Sequence, residues 1–364
     1  MKPAHFGCIA KMKLHHCLNR RSFAVLLGII LLSASSAPGQ AAMIAIQGSE
    51  SKTVQEKAEQ TKDSAGKADT KSTIEPSLGV TFGDEVRNNW RVGVKVRAGS
   101  QSVKGMMVTL PVPTDWPEQE VTLVEENFPS DAKKIKYRVL DNGIRQIVAE
   151  LGTIRPGDTF EMSATFQVRT LAVKGPEDTT IFKIPKGLPK DIKDYIGNSP
   201  QITFRNNKLR KQVKAIVKEH PLAWDQAEAI HLWIRENIQH ETGKPKDSLD
   251  TLRDKKGSAE DLNCLFVAMC RCIKIPARMV WVDGTQYTEF YLMDEEKNGY
   301  WFPVQTAGLA EFGSMSNPRI ILEKGDNFKV PEKKDRQKFV REFAKGSGKV
   351  KPKLRFTRDL LPAR

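Results

Sequence analysis

The chain has 364 residues, a length that fits two domains and excludes both a single small module and a multi-enzyme array. With 39% hydrophobic residues and a mean hydropathy of -0.44, it can build ordinary globular cores but not a polytopic membrane protein. The formal net charge of +14 sits at the ends: residues 1–41 hold five bases and no acid, residues 331–364 hold twelve bases and four acids, and the stretch between is near neutral. That distribution argues against a folded basic face for nucleic acid.

In chain order, the first element reads as a signal peptide over residues 1–41. A positive segment ends in Asn19-Arg20-Arg21-Ser22-Phe23, an apolar run follows from Phe23 to Leu32, and Gly39-Gln40-Ala41 supplies small residues for cleavage. The run is shorter than the ~20 residues a spanning helix needs, so export with removal of the leader is expected, periplasmic or secreted. The paired arginines fit a twin-arginine signal as well as a Sec leader. No cysteine follows the run, which argues against a lipoprotein, and Met12 would also serve as a start. Residues 42–76 are read as a flexible polar linker, because from Gly48 to about Thr73 the chain is dominated by Ser, Lys, Glu, Thr, Gln, Ala and Asp with no aromatic residue and cannot offset chain entropy by burial.

Residues 77–175 carry β patterning. Trp90, Val92, Val94 and Val96 alternate with Arg91, Gly93, Lys95 and Arg97. Met106 to Leu110 runs into Pro111-Val112-Pro113, expected to end pairing. Asp141-Asn142-Gly143 marks a hairpin, and Arg155-Pro156-Gly157-Asp158 turns the chain into Thr159–Val168. Short strands with turns between them predict a β-sandwich, with no titratable cluster on it.

After Ile184-Pro185-Lys186-Gly187-Leu188-Pro189 the period becomes helical. Leu209, Val213, Ile216 and Val217 mark a first helix. A second is expected to start at Asp225 as its N-cap and carries Ile230, Trp233, Ile234 and Ile238. A third starts at Ser258, where Ser258-Ala259-Glu260-Asp261 fits a capping box, and stops at Ile275-Pro276. Its stripe is Leu262, Leu265, Phe266, Met269 and Ile273. Strands are expected at Ala277–Val282, Thr285–Met293 and Tyr300–Thr306. Cys264, Cys270 and Cys272 share the third helix at spacings that disfavour a disulfide, so they are read as buried thiols.

Five blocks then align in order: Trp233-Ile234-Arg235-Glu236-Asn237-Ile238-Gln239-His240, Gly257-Ser258-Ala259-Glu260-Asp261-Leu262-Asn263-Cys264-Leu265-Phe266, Lys274-Ile275-Pro276-Ala277-Arg278, Thr285-Gln286-Tyr287-Thr288-Glu289-Phe290-Tyr291, and Trp301-Phe302-Pro303-Val304-Gln305. Over about residues 205–306 the chain resembles the transglutaminase-like, papain-related superfamily. The resemblance implies an α+β fold behind a β-sandwich, with the transglutaminase-like domain at 190–344. It also implies thiol acyl transfer by a cysteine at a helix N-terminus, a histidine base and an orienting aspartate. At those positions this chain has Ala259, Thr285 and Gln305. A methyl group, a hydroxyl and an amide cannot supply these roles, so a non-catalytic member is expected. The expected ligand cleft is lined by Ser258, Ala259, Thr285, Tyr287 and Gln305 and takes a peptide or envelope protein.

Cys264 lies five residues beyond Ala259, rotated about 140° around the helix and more than a turn from its start, and serves an active-enzyme alternative poorly. His231 is read as a satisfied or half-exposed core residue, His240 as packing and His220 as a helix-end cap. None has metal spacing, and neither metal nor cofactor is implied. Asp261 is read as a cap and Glu289 as a structural contact, not an acid/base pair, and Arg278 as ion-paired or solvated. Residues 345–364 are read as a solvated basic tail, whose partner by charge alone would be an anionic surface. A structural envelope protein with a binding sandwich is the third class of reading.

Overall fold

Trp90, Val92, Val94 and Val96 are all buried, as their alternation requires, and they belong to a strand longer than the pattern alone marks. The computed structural model describes residues 79–130 and 132–362; the expected signal peptide, Cys8 and Cys17 within it, and the linker up to residue 76 lie outside the described residues. Six strands open the described chain: β1 (Thr81–Arg97), β2 (Lys104–Val112), β3 (Gln119–Asn127), β4 (Ala132–Val139), β5 (Arg145–Leu151) and β6 (Thr159–Lys174). The β4–β5 hairpin turns at Asp141–Gly143, with Asn142 at φ 65°.

A helical stretch follows, comprising α1 (Asn207–Ile216), α2 (Ala223–Asn237), β7 (Gln239–His240), α3 (Ser248–Asp254), β8 (Lys256–Gly257) and α4 (Ala259–Cys272). Then come β9 (Ala277–Val282), β10 (Thr285–Met293), β11 (Gly299–Gln305), β12 (Glu311–Phe312) and β13 (Ile321–Lys324). The chain ends in β14 (Phe343–Ser347) and β15 (Lys353–Pro362). Sequence reading did not mark α3, which is short and mostly polar. It placed the start of α2 three residues late: Leu222 occupies the cap, and Asp225 lies in the first turn.

Two four-stranded sheets, ordered β15-β1-β6-β3 and β14-β2-β5-β4, share one apolar core and form the expected sandwich. The C-terminal segment corrects the solvated-tail expectation, because β15 pairs with β1 from Lys353↔Arg97 to Pro362↔Asn88. Its apolar residues alternate: Leu354 and Phe356 stand opposite Val96 and Val94, and Phe356 packs on the core. Interspersed bases hid that period-two signal. Pro111 and Val112 stay paired with β5, contrary to the expected break; β14 has ended by Thr109, so the side of Pro111 that lacks an N–H has no ladder partner to lose.

The second layer set is a five-stranded antiparallel sheet, β12-β11-β10-β9-β13, with helices on one face. Ala277, Met279 and Trp281 of β9, Phe290 and Leu292 of β10, and Phe302 and Val304 of β11 pack with α1, α2 and α4 in one cluster. Helix α4 is enclosed, and residues 261–271 are buried on every side. The opposite face of the sheet meets the sandwich through Val173, Val280, Val282, Tyr287, Met315 and Ile321. Across this seam the Gln119 side chain acts as a strand neighbour, donating to the Ile321 carbonyl at 2.9 Å and accepting from its N–H at 2.6 Å.

Candidate functional site

The start of α4 is fixed by short-range chemistry. Ser258 Oγ accepts from Asp261 N at 3.3 Å, and Asp261 Oδ2 accepts from Ser258 N at 2.8 Å, the expected capping box. Asp261 Oδ1 also accepts from Lys246 N at 2.7 Å, so this carboxylate is spent on the cap. Gly257 is required at the approach, since a Cβ there would lie 2.8 Å from that of Asp261. Ala259 is therefore the first residue of a rigidly capped helix, half-exposed at its end.

One turn further along the same helix face stands Asn263. It donates to the Gln286 carbonyl at 3.1 Å and accepts from the Thr306 hydroxyl. These bonds bring the Ala259 face of α4 to the starting end of β10 and the finishing end of β11. The strand pleat then decides which side chains turn toward the helix. Phe290 and Val304 face it, so Gln286 and Thr306 do as well, whereas Thr285, Tyr287 and Gln305 fall on the other parity. Thr285 pairs with Val282, a seam residue, and Tyr287 is buried in the seam, away from the expected cleft. The Gln305 amide donates to the Ala307 carbonyl at 3.0 Å. Below Ala259 the structure thus gathers Asn263, Gln286 and Thr306, none of which titrates or attacks.

Beside this cluster lies a cavity of about 380 Å³, lined by Arg235, His240, Leu262, Thr306, Ala307 and Gly308 among others. Arg235 donates to the Thr306 and Gly308 carbonyls, each at 3.1 Å, and fastens the loop after β11 to the end of α2. Nothing in the sequence pairs Arg235 with a loop some seventy residues away. His240 is exposed on the rim, not packed as expected.

The alternative nucleophile is sealed. Cys264 is fully buried, and desolvation pushes its thiol up to about 12 although Lys338 Nζ stands 3.8 Å away. That ammonium is itself held by Glu260 and Gln201. Burial raises the Cys270 thiol further, and lifts that of Cys272 to about 11, with Cys272 Sγ 3.2 Å from the Phe204 carbonyl. All three are free.

His231 does not serve either. It is 2% exposed against Phe312 and Phe266, and desolvation, helped by Arg235, lowers its pKa to about 4. Its Nδ1 lacks a hydrogen-bond partner, so it is buried but not satisfied as the sequence reading had it. Glu289 faces the seam, bonded to Arg278 and Lys324 at 2.7 Å each. Burial would raise its pKa, but the two cations outweigh that and hold it low. Arg278 is accordingly ion-paired, and it also lies 3.9 Å over the Trp301 ring. Asp261 and Glu289 thus work on different sides of the sheet. Among the described residues no three of His, Cys, Asp or Glu gather as a metal site.

Residues 210–306 match the family model for the transglutaminase-like superfamily. A candidate cysteine protease from Cytophaga hutchinsonii is similar in structure at a TM-score of 0.52 and 16% identity, over 78% of this chain and 94% of that one, a likeness of fold. The periplasmic domain of TgpA from Pseudomonas aeruginosa aligns at 0.35 and 12% identity, over 63% of this chain and 72% of that one. A candidate protease from Parabacteroides distasonis aligns at 0.25 and 12%, over 64% and 48%. No curated protein matches the chain.

Proposed function

Since residues 210–306 form a transglutaminase-like domain, we propose that the protein is a non-catalytic member, exported to the cell envelope, which binds a peptide or protein segment at the end of α4. One observation carries this reading. The capped helix start that would present a nucleophile holds Ala259, and the groups bonded beneath it are an amide, a backbone carbonyl and a hydroxyl. Without a thiolate and a base, covalent acyl transfer loses its attacking group and its proton carrier. What remains is a buried, mutually bonded polar cluster whose Thr306 borders a cavity of about 380 Å³.

The test is direct. Incubation with a glutamine-donor peptide and a fluorescent amine should give no incorporation above a denatured control. The native Cys264 thiol at pH 8 should react with iodoacetamide on the order of 1,000-fold more slowly than in the unfolded chain, given its pKa of about 12. Turnover that vanishes in Cys264→Ala would overturn the reading. The binding half is read by panning a peptide library. Selected peptides should lose roughly tenfold or more in affinity to His240→Trp, which fills the cavity mouth from an exposed position. Unchanged binding by that variant counts against the cavity.

Export rests on the leader alone. Amino-terminal sequencing of protein recovered from the periplasm or medium should start just after Ala41, and full-length protein confined to the cytoplasm would contradict it.

A further inference from the structure

Residues 205–212 at the start of α1 and residues 249–255 of α3 face each other across a groove of about 920 Å³, well over twice the size of the cavity beside Thr306. Its charge is lopsided. Arg205, Lys208, Arg253 and Lys255 line it, against one carboxylate, Asp250. Asp250 is bound to Arg253 at 2.7 Å, and Arg253 also meets Asp254. Among the described residues no ion pair engages Arg205, Lys208 or Lys255. The floor is apolar: Leu249 and Leu252 are half-buried and reach down to the main core.

Lys255 is placed with care. It ends α3 in the left-handed conformation, φ 56° and ψ 27°, where glycine is the usual and cheaper residue. Its ammonium lies 4.3 Å over the Trp233 ring, and it borders both this groove and the cavity beside Thr306.

We infer that the α1–α3 groove is a docking surface for an extended acidic peptide segment that carries apolar side chains. The unpaired bases match its carboxylates, and the leucine floor matches side chains that a pure polyanion lacks. Acidic polymers or headgroups would need the bases alone. This surface shares only Lys255 with the cavity beside Thr306, and the variants below leave Lys255 in place, so either site can fail without the other.

Fluorescence anisotropy on the full chain tests it, with a labelled octapeptide of alternating Glu and Leu as the probe. The expected result is saturable binding that salt weakens. Arg205→Glu with Lys208→Glu should reduce affinity roughly tenfold or more, and Arg205→Ala with Lys208→Ala less, in the same direction. An all-Glu octapeptide should bind more weakly, and His240→Trp should bind the Glu/Leu probe as the wild type does. Both replaced bases are on exposed side chains, so circular dichroism should be unchanged. No saturation by about 1 mM, or affinity indifferent to charge reversal, overturns the inference. So does stronger competition from tripolyphosphate or from vesicles of equal parts phosphatidylcholine and phosphatidylglycerol, which would assign the groove to a polyanion or a membrane.

Discussion

Glu289→Gln should cost about 3–5 kcal/mol of stability. The side chain is 3% exposed and neutralises two buried cations at once. Glutamine keeps the shape and removes the charge. Arg278 would then have no carboxylate beside it, and Lys324 would keep only Glu118, which reaches it from the sandwich side of the seam. Desolvating an unpaired guanidinium costs more than the lost hydrogen bonds, so the penalty should approach that of a broken buried pair and not that of a surface one. In urea, with a slope near 3 kcal/mol/M for a chain of this size, the midpoint should fall by roughly 1 M or more. Arg278→Met combined with Glu289→Met should recover most of the loss, because it removes both charges together. A single variant within 1 kcal/mol of wild type would mean the network is solvated and the seam is held by its apolar residues alone.

The second large effect depends on pH. His231 has a folded pKa of about 4 against about 6.5 when unfolded, so between those values only the unfolded chain takes up the proton. Stability contributed by neutral His231 is complete above pH 6.5 and falls as pH drops toward 4, by about 3 kcal/mol in all. Glu323 acts in the opposite sense. Its carboxyl is buried with one oxygen unpartnered, and desolvation raises its pKa well above the usual value despite the bond from Val340 N. It keeps a proton that the unfolded chain releases, so its contribution is full below about pH 4.5 and shrinks as pH rises. The two trends oppose each other in the wild type, so a single profile isolates neither. His231→Phe separates them, since the ring already packs against Phe266 and Phe312 and its Nδ1 has no bond to lose. Urea midpoints taken from pH 7 to pH 4 should show the variant gaining about 3 kcal/mol relative to wild type toward the acid end. Parallel curves would mean His231 is protonated in the folded state.

Much of the frame was legible in the residues. Ser258 and Asp261 announce a helix start because both partners of the box are local. The β4–β5 hairpin is readable because Asn142 and Gly143 satisfy the turn without help from elsewhere. The candidate site was legible only in part. Ala259 could be placed by spacing, but the face taken by residues 285 and 287 follows from the two-residue hairpin at Asp283-Gly284, which pairs Val282 with Thr285, and that of residue 305 from the next turn along. A step of one residue sends a side chain to the other side of a strand, so the Thr306 hydroxyl reaches Asn263, which also meets the Gln286 backbone carbonyl, while the Gln305 side chain turns away. Likewise β15 went unseen because its partner lies some 260 residues earlier, and its bases mask the apolar members that face the core. Arg235 and Lys324 were invisible for the same reason, since each acts on a segment distant along the chain.

The pairing of β1 with β15 has a consequence for biosynthesis. The sandwich takes its first strand from near the beginning of the described chain and two more from beyond the transglutaminase-like region, so neither sheet can close until residues 343–362 have been made. Until then β1 and β2 each present a naked ladder edge, a state that invites intermolecular strand exchange. A nascent chain released at residue 342 would contain the whole transglutaminase-like region and still be an aggregation hazard, which makes residues 343–362 the clasp of the fold.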